Sequence, residues 1–200
     1  MIVENDVENP NWGSLVEMPK CRKCGDRFKA RFFMQKFCMV NESCISAFIE
    51  FTKEERQKKQ RAETKKRKEA LLSHKDWLNI LQKVFNTFIR LRDKDEPCIS
   101  CGTTSKTIKY DAGHYFTVGG YPNLRFDEDN VHKQCSNNCN MKLSGNIIEY
   151  RPRLIKKIGE ERFEALEFRA RNESGKLSIP EIKEKIAYYK QRIKELKAYD

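Results

Sequence analysis

The chain has 200 residues, 38% of them apolar and 34% charged, and its 40 Lys and Arg against 29 Asp and Glu leave a formal charge of +11. That length supports one ordinary domain with appendages. The charge favours a polyanionic partner, nucleic acid or an acidic membrane surface, and no apolar run reaches the length of a membrane span. The opening MIVENDVENPNW is acidic and has no secretory apolar region, so a soluble, cytoplasmic protein is expected.

In chain order, residues 1–18 lack any periodic pattern and read as a flexible tail. The cysteines then set the frame. All eight fall in close pairs: Cys21-x2-Cys24, Cys38-x5-Cys44, Cys98-x2-Cys101 and Cys135-x3-Cys139. A reducing cytosol disfavours structural disulfides, and this spacing is that of metal ligands. Residues 19–46 therefore read as a zinc knuckle holding its ion with Cys21, Cys24, Cys38 and Cys44. Gly25 suits the ligand-bearing turn, and Phe28, Phe32, Phe33 and Phe37 are expected to form a miniature core. Residues 47–72 form a basic helical arm with almost no apolar face, either a solvated linker or a phosphate-tracking arm.

An amphipathic helix is expected over 73–92, with Ser73 as N-cap and Asp76 in its first turn. Trp77, Ile80, Leu81, Val84, Phe85, Phe88 and Ile89 mark its apolar face. His74 reads as a surface residue. From Pro97 to about Tyr150 the chain is turn-rich and short-stranded; residues 151–170 read as one or two helices broken at Gly159, and residues 172–175 as a turn. Ser178 and Glu181 form a capping box for a last helix. That helix carries Ile182, Ile186, Tyr189, Ile193 and Leu196 as a heptad-like stripe, which either packs on the protein's own core or pairs with a second copy.

The chemistry is concentrated in residues 98–142: Cys98-Ile-Ser-Cys101-Gly102, Asp111-Ala-Gly-His114, and Asn130-Val-His-Lys-Gln-Cys135-Ser-Asn-Asn-Cys139-Asn140-Met-Lys142. Cys98, Cys101, Cys135 and Cys139 can close one tetrahedral zinc site with no open position, a structural site. Between them lie oxygen- and nitrogen-bearing groups suited to a harder, open cation site.

This pattern resembles the HNH nuclease motif of the four-cysteine type, which includes the phage endonuclease VII class. The resemblance implies an α+β fold: a zinc-stabilised HNH (ββα-metal, treble-clef-like) core within residues 73–150, flanking helices, and a helical region at 151–200. By the same resemblance His114 is the general base, Asn130 braces the loop, and Asn140 binds Mg²⁺ or Mn²⁺. The pattern departs at Gly113, where the motif usually carries a metal ligand. Asp111, two residues earlier on the same strand face, is the expected ligand if the strand bends at Gly113. His132 is the reserve ligand or else a structural histidine.

More of the chain resembles the NinG (Rap) family of lambdoid phages, endonucleases of Holliday junctions and branched DNA in recombination. The residues that carry this are Phe88-Ile-Arg-x-Arg92-Asp93, Pro97-Cys-Ile-Ser-Cys-Gly102, Asp111-Ala-Gly-His-Tyr115, Leu124-Arg-Phe126, His132-Lys-Gln-Cys135, Lys142-x-Ser-Gly-Asn146 and Tyr150-Arg151. The resemblance implies branched DNA as substrate, a homodimer for paired cuts, and a phage strand-annealing recombination protein as partner. It implies phosphate contacts from Lys58, Lys59, Lys65, Lys66, Arg67 and Lys68 on the arm, and from Arg125, Lys133 and Lys142 near the site. An HNH nickase without junction preference and a non-catalytic zinc-finger DNA-binding protein are the competing expectations.

Overall fold

A computed structural model describes residues 18–173 and 175–198; all but the last residue of the tail expected at 1–18, and Ser174 of the expected turn, lie outside the described residues. The chain divides into two units, Met1–Leu71 and Leu72–Asp200. The described residues are mostly helical with one two-stranded antiparallel sheet, an α+β composition. Among them no helix is long and apolar enough to cross a membrane.

In the first unit a tight knuckle precedes helix α1 (Glu42–Ala70). The knuckle turns at Gly25, whose φ of 81° a side chain would strain, and its N–H meets the Cys21 carbonyl at 2.9 Å. α1 starts inside the stretch expected to be all knuckle. Asn41 caps it by accepting from the Cys44 N–H at 2.8 Å, so the last cysteine sits in the helix's first turn. Beyond Phe51 the helix is exposed on every side, in keeping with its lack of an apolar stripe.

The second unit is built on α2 (His74–Arg92), begun by a reciprocal Ser73–Asp76 capping box. Its face of Trp77, Leu81, Phe85, Phe88 and Ile89 packs with Ala112, Phe126 and Val131 and with Ile182, Ile186 and Tyr189 of α5 (Ile179–Ala198). Ile193 and Leu196 also lie against this core. The α5 stripe is thus used within the chain. His74 is half-buried, its Nε2 2.7 Å from the Leu177 carbonyl, rather than a free surface residue.

The hairpin pairs β1 (Tyr110–His114) with β2 (Val131–Cys135), with Asp111 opposite Gln134 and Gly113 opposite His132. Period-two alternation gives it two faces. Ala112 and Val131 face α2. Tyr150 of α3 (Ile147–Ile158) binds the other side, donating its hydroxyl to the Gly113 carbonyl at 3.1 Å. A second core of Ile99, Tyr115, Leu124, Tyr150, Leu154, Phe163 and Leu166 joins α3 to α4 (Glu160–Asn172). The break between these helices falls at Gly159, φ 86°. After β2 the chain makes a seven-residue π-helical turn, Ser136–Lys142. It then passes through three successive left-handed residues, Ser144, Gly145 and Asn146, before α3 begins at Ile147.

Candidate active site

Both cysteine quartets converge. In each, all four sulfurs lie within 4.8 Å of one another, and all eight thiols are free. Zinc–sulfur bonds of about 2.3 Å put the sulfurs of a regular tetrahedron about 3.8 Å apart. The separations are 3.7 Å for Cys98–Cys135, Cys101–Cys135 and Cys24–Cys38, and 3.8 Å for Cys21–Cys44. Such spacing is far beyond a disulfide bond of about 2.05 Å, and each quartet can hold a zinc ion. Backbone N–H groups prepare them. Cys38 N and Cys135 N donate to Cys21 Sγ and Cys98 Sγ, each at 3.3 Å. Against burial, those N–H groups favour one thiolate in each quartet, Cys21 at about 6 and Cys98 below its ordinary value, while burial and the neighbouring sulfurs hold Cys44, Cys135 and Cys139 above theirs. The two quartets share one plan. Each opens with a knuckle closed by a left-handed glycine, Gly25 or Gly102, and places its last cysteine in a helical turn, Cys44 in α1 and Cys139 in the π-turn.

The second quartet anchors the hairpin and the π-turn. That turn brings Asn140 back over β1, where its Nδ2 donates to Asp111 Oδ2 at 3.2 Å. Ser136 Oγ donates to the same oxygen at 2.5 Å. The structure therefore joins Asp111 to Asn140, but not through a bend at Gly113. β1 stays paired through Gly113, and the π-turn travels to Asp111 instead.

Gly113 has another cause. A Cβ built on it would overlap Gln134 Oε1 and lie 2.9 Å from both Cβ and Cδ of that side chain. Gln134 is fully buried. Its Nε2 donates to the Gly145 carbonyl at 2.5 Å and to Ser100 Oγ at 2.6 Å. A carbonyl only accepts, so this nitrogen cannot exchange places with the oxygen. Oε1 is left as the one buried side-chain polar atom without a partner among the described residues. It rests where the residue before His114 would otherwise project a side chain. Sequence reasoning passed over Gln134; the available signal was a glycine inside a strand, which marks close approach by another group.

His114 ends β1 half-buried, its Nε2 3.0 Å from the Arg125 carbonyl. The carbonyl can only accept, so Nε2 carries the proton and Nδ1 is the basic nitrogen. Burial lowers the imidazole pKa below its ordinary value, against the opposing pull of that carbonyl. Asn130 is fully buried and staples the loop between the strands. It accepts from Phe116 N at 2.7 Å and donates to the Phe116 and Leu124 carbonyls, each at 3.0 Å. Arg169 of α4 fixes the same loop from outside, at 2.9 Å from Asp127 and 3.1 Å from Asp129. The structure does not bring His114 beside Asp111: the two project from opposite faces of β1.

His132 is 2% exposed, with Nδ1 3.3 Å from the Tyr150 hydroxyl. Burial and then the Arg92 charge push it down to about 3. Its burial and its contact with the Tyr150 hydroxyl fit the structural reading of this histidine. Lys133 is also displaced from its expected role. It is 9% exposed, its Nζ donating to the Lys94 and Glu96 carbonyls at 2.8 and 2.6 Å above the Tyr110 ring. A lysine so enclosed is not available to a phosphate. Arg125 is half-buried, its Nε 2.6 Å from Gln82 Oε1. Lys142, at the end of the π-turn, is exposed, as are Lys58, Lys59, Lys65, Lys66, Arg67 and Lys68 on α1. Two of these share their charge with acids one turn away, Lys65–Glu69 at 3.9 Å and Arg67–Glu63 at 2.7 Å.

No solved structure matches this chain. Relatives do. Protein ninG of Escherichia phage 933W is 36% identical over 192 residues, covering 89% of this chain and 93% of the relative. Protein ninG of Escherichia phage lambda is 36% identical over 189 residues, covering 88% and 90%. Protein ninG of Enterobacteria phage H19B is 38% identical over 162 residues, covering 74% and 79%. The family described as Bacteriophage Lambda NinG protein matches residues 14–199, which takes in both cysteine quartets, α1 and the hairpin site, and the chain belongs to the NinG family.

Proposed function

We propose that the chain is a structure-selective endonuclease that hydrolyses phosphodiester bonds in branched DNA during phage recombination, with an HNH core formed by β1, β2 and the π-turn. The observation that carries this reading is what the hairpin gathers on its two faces. On one, Asp111 meets Ser136 and Asn140 while the orphaned, buried Gln134 oxygen lies over Gly113; on the other, His114 ends the same strand with Nδ1 as its basic nitrogen.

An oxygen-seeking cation fits this donor set. Asp111, Gln134 and Asn140 would hold Mg²⁺ or Mn²⁺ through side-chain oxygens; for Asn140 this means turning its amide over from its present hydrogen bond to Asp111. Such an ion would neutralise charge on the phosphate and on the leaving oxygen. His114 Nδ1 takes a proton from water, the water oxygen bonds to phosphorus, and the bond from phosphorus to the 3′ oxygen breaks. Arg125 orients the imidazole through its carbonyl, and Asn130 holds the loop that carries this carbonyl. The exposed Lys and Arg of α1, with Lys142, contact phosphates and position DNA without reading sequence. Paired cuts at a four-way junction need two copies of the site, and a strand-annealing recombination protein is the expected partner.

One observation favours a second reading, a zinc-finger DNA-binding recombination protein without catalysis: Asp111 and His114 face opposite sides of β1. A cleavage assay on labelled four-way junction, fork and linear duplex, with Mg²⁺ or Mn²⁺, separates the readings. Metal-dependent cutting of the branched substrates that His114→Ala abolishes, with junction binding retained, is the expected result. Equal cutting of duplex would indicate an HNH nickase without junction preference. Junction binding without cutting under either metal would select the second reading.

A further inference from the structure

The four phenylalanines of the knuckle do not form one core. Phe28 and Phe37 are buried among Cys21, Cys44 and the first turns of α1. Phe32 and Phe33 are not: they are 50% and 86% exposed, and Met34 beside them is 71% exposed. A small zinc-held unit has little apolar surface to spare, and large aromatics left in water mark a contact surface.

This loop is a built turn. Gln35, itself buried, accepts from Arg31 N at 2.7 Å and donates to the Phe37 carbonyl at 2.7 Å. Gln35 N closes on the Phe32 carbonyl at 3.3 Å. Met34 is held at φ 58°, a conformation rare for a residue with a side chain. The turn thus presents Phe32 and Phe33 outward on a fixed frame. Phe32 also walls a groove of about 240 Å³ with Phe48, Phe51 and Lys36. The Lys36 ammonium stands 4.5 Å from the Phe51 ring centre.

Charge selects the occupant. Residues 18–41 carry seven Lys or Arg and one acid, Asp26. Exposed rings interleaved with cations are the surface that holds single-stranded nucleic acid: cations follow the phosphates and rings stack on unpaired bases, whatever their sequence. We infer that the N-terminal zinc knuckle is a single-strand binding site, with Phe32 and Phe33 as stacking platforms for the unpaired bases of DNA. This activity needs no phosphodiester cleavage and stands apart from the nuclease reading.

The test is fluorescence anisotropy of labelled oligothymidine and of a duplex of equal length. It uses the full zinc-loaded chain in the His114→Ala background, so that cutting does not intrude. Phe32→Ala/Phe33→Ala should weaken oligothymidine binding by about tenfold or more. Zinc content, duplex affinity and the salt dependence of binding should stay unchanged, since no cation is removed. Phe32→Leu/Phe33→Leu should fall as far, because a branched aliphatic fills space but does not stack; Phe32→Tyr/Phe33→Tyr should bind as the parent does. Unchanged oligothymidine affinity in the alanine variant would overturn the inference and leave the patch as a protein-docking surface. Equal losses on single strand and duplex, or a leucine variant as good as the parent, would overturn it as well.

Discussion

Gly113→Ala tests the placement of Gln134 most directly. Replacing glycine in a strand interior by alanine ordinarily stabilises by about 0.5–1 kcal/mol, because the unfolded chain loses freedom. Here the new methyl would land on Gln134 Oε1 and within 2.9 Å of its Cβ and Cδ. Gln134 has no solvent to retreat into, and moving it breaks its bonds to Gly145 and Ser100. Those two bonds are worth about 0.5–1.5 kcal/mol each, and forced overpacking costs about 1–3 kcal/mol. Against the small backbone gain the expected net loss is about 1–5 kcal/mol. Urea denaturation of the zinc-loaded protein followed by circular dichroism would read it. The diagnostic comparison is the double variant Gly113→Ala/Gln134→Ala. With the opposing side chain gone, it should be at least about 1 kcal/mol more stable than the sum of the single effects requires. A Gly113→Ala protein as stable as the parent, or strictly additive single effects, would refute the argument. The variant also displaces Oε1, so Mn²⁺ should bind it more weakly than the parent under the proposed metal reading.

The remaining expectations concern titration, zinc and charge. His132 has a folded pKa of about 3, below the unfolded value near 6.5. Its neutral form therefore contributes fully above pH 6.5, and stability is lost as pH falls from there toward 3, by about 1.4 kcal/mol per pH unit at the steepest. His132→Gln, which cannot titrate, should shallow the stability profile between about pH 6.5 and 4.5; an unchanged slope would place the histidine elsewhere. Cys98→Ser should cost one zinc equivalent and the cooperative unfolding of the second unit, whereas Cys24→Ser should cost the other equivalent, measured by metal analysis and melting. Lys133→Met should lower stability and leave the salt dependence of DNA binding intact. Neutralising Lys58, Lys59, Lys65, Lys66, Arg67 and Lys68 to Gln should flatten that dependence by about 0.7–0.9 in log–log slope for each phosphate no longer neutralised.

Local patterns were legible where one stretch of chain decides its own structure. The 3.6-residue period gave α2, the Ser73–Asp76 and Ser178–Glu181 boxes gave helix starts, and the cysteine spacings gave two quartets whose sulfurs converge. Readings failed where a distant segment decides. Lys133 is enclosed by carbonyls that follow α2, nearly forty residues earlier in the chain. Phe32 and Phe33 share the composition of a core, but the Gln35 turn points them outward. α1 begins earlier than its arm because Asn41 and the quartet share a turn. The bend expected at Gly113 followed from strand geometry alone, which could not foresee that the space belongs to a side chain from β2.

The π-turn after β2 gives the hairpin site its form. The first pair of this quartet is spaced Cys98-x2-Cys101 and the second Cys135-x3-Cys139, one residue longer. The second pair is wound as a π-helical turn over Ser136–Lys142, with Leu143 N reaching back five residues to the Asn138 carbonyl at 3.0 Å. Each residue of an α-helix turns about 100° about its axis, so α-helical winding after Cys135 would carry Asn140 round to another face. The wider winding keeps Cys139 on the zinc quartet while Asn140, next to it, reaches Asp111. The exit is equally constrained. Ser144, Gly145 and Asn146 reverse the chain through three left-handed conformations, and the Gly145 carbonyl freed by that reversal holds the Gln134 amide over Gly113. One irregular segment thereby fixes a zinc ligand, the Asp111 partner and the orientation of the orphaned oxygen. That is a reason for the Lys142-x-Ser-Gly-Asn146 sequence that does not depend on any reaction.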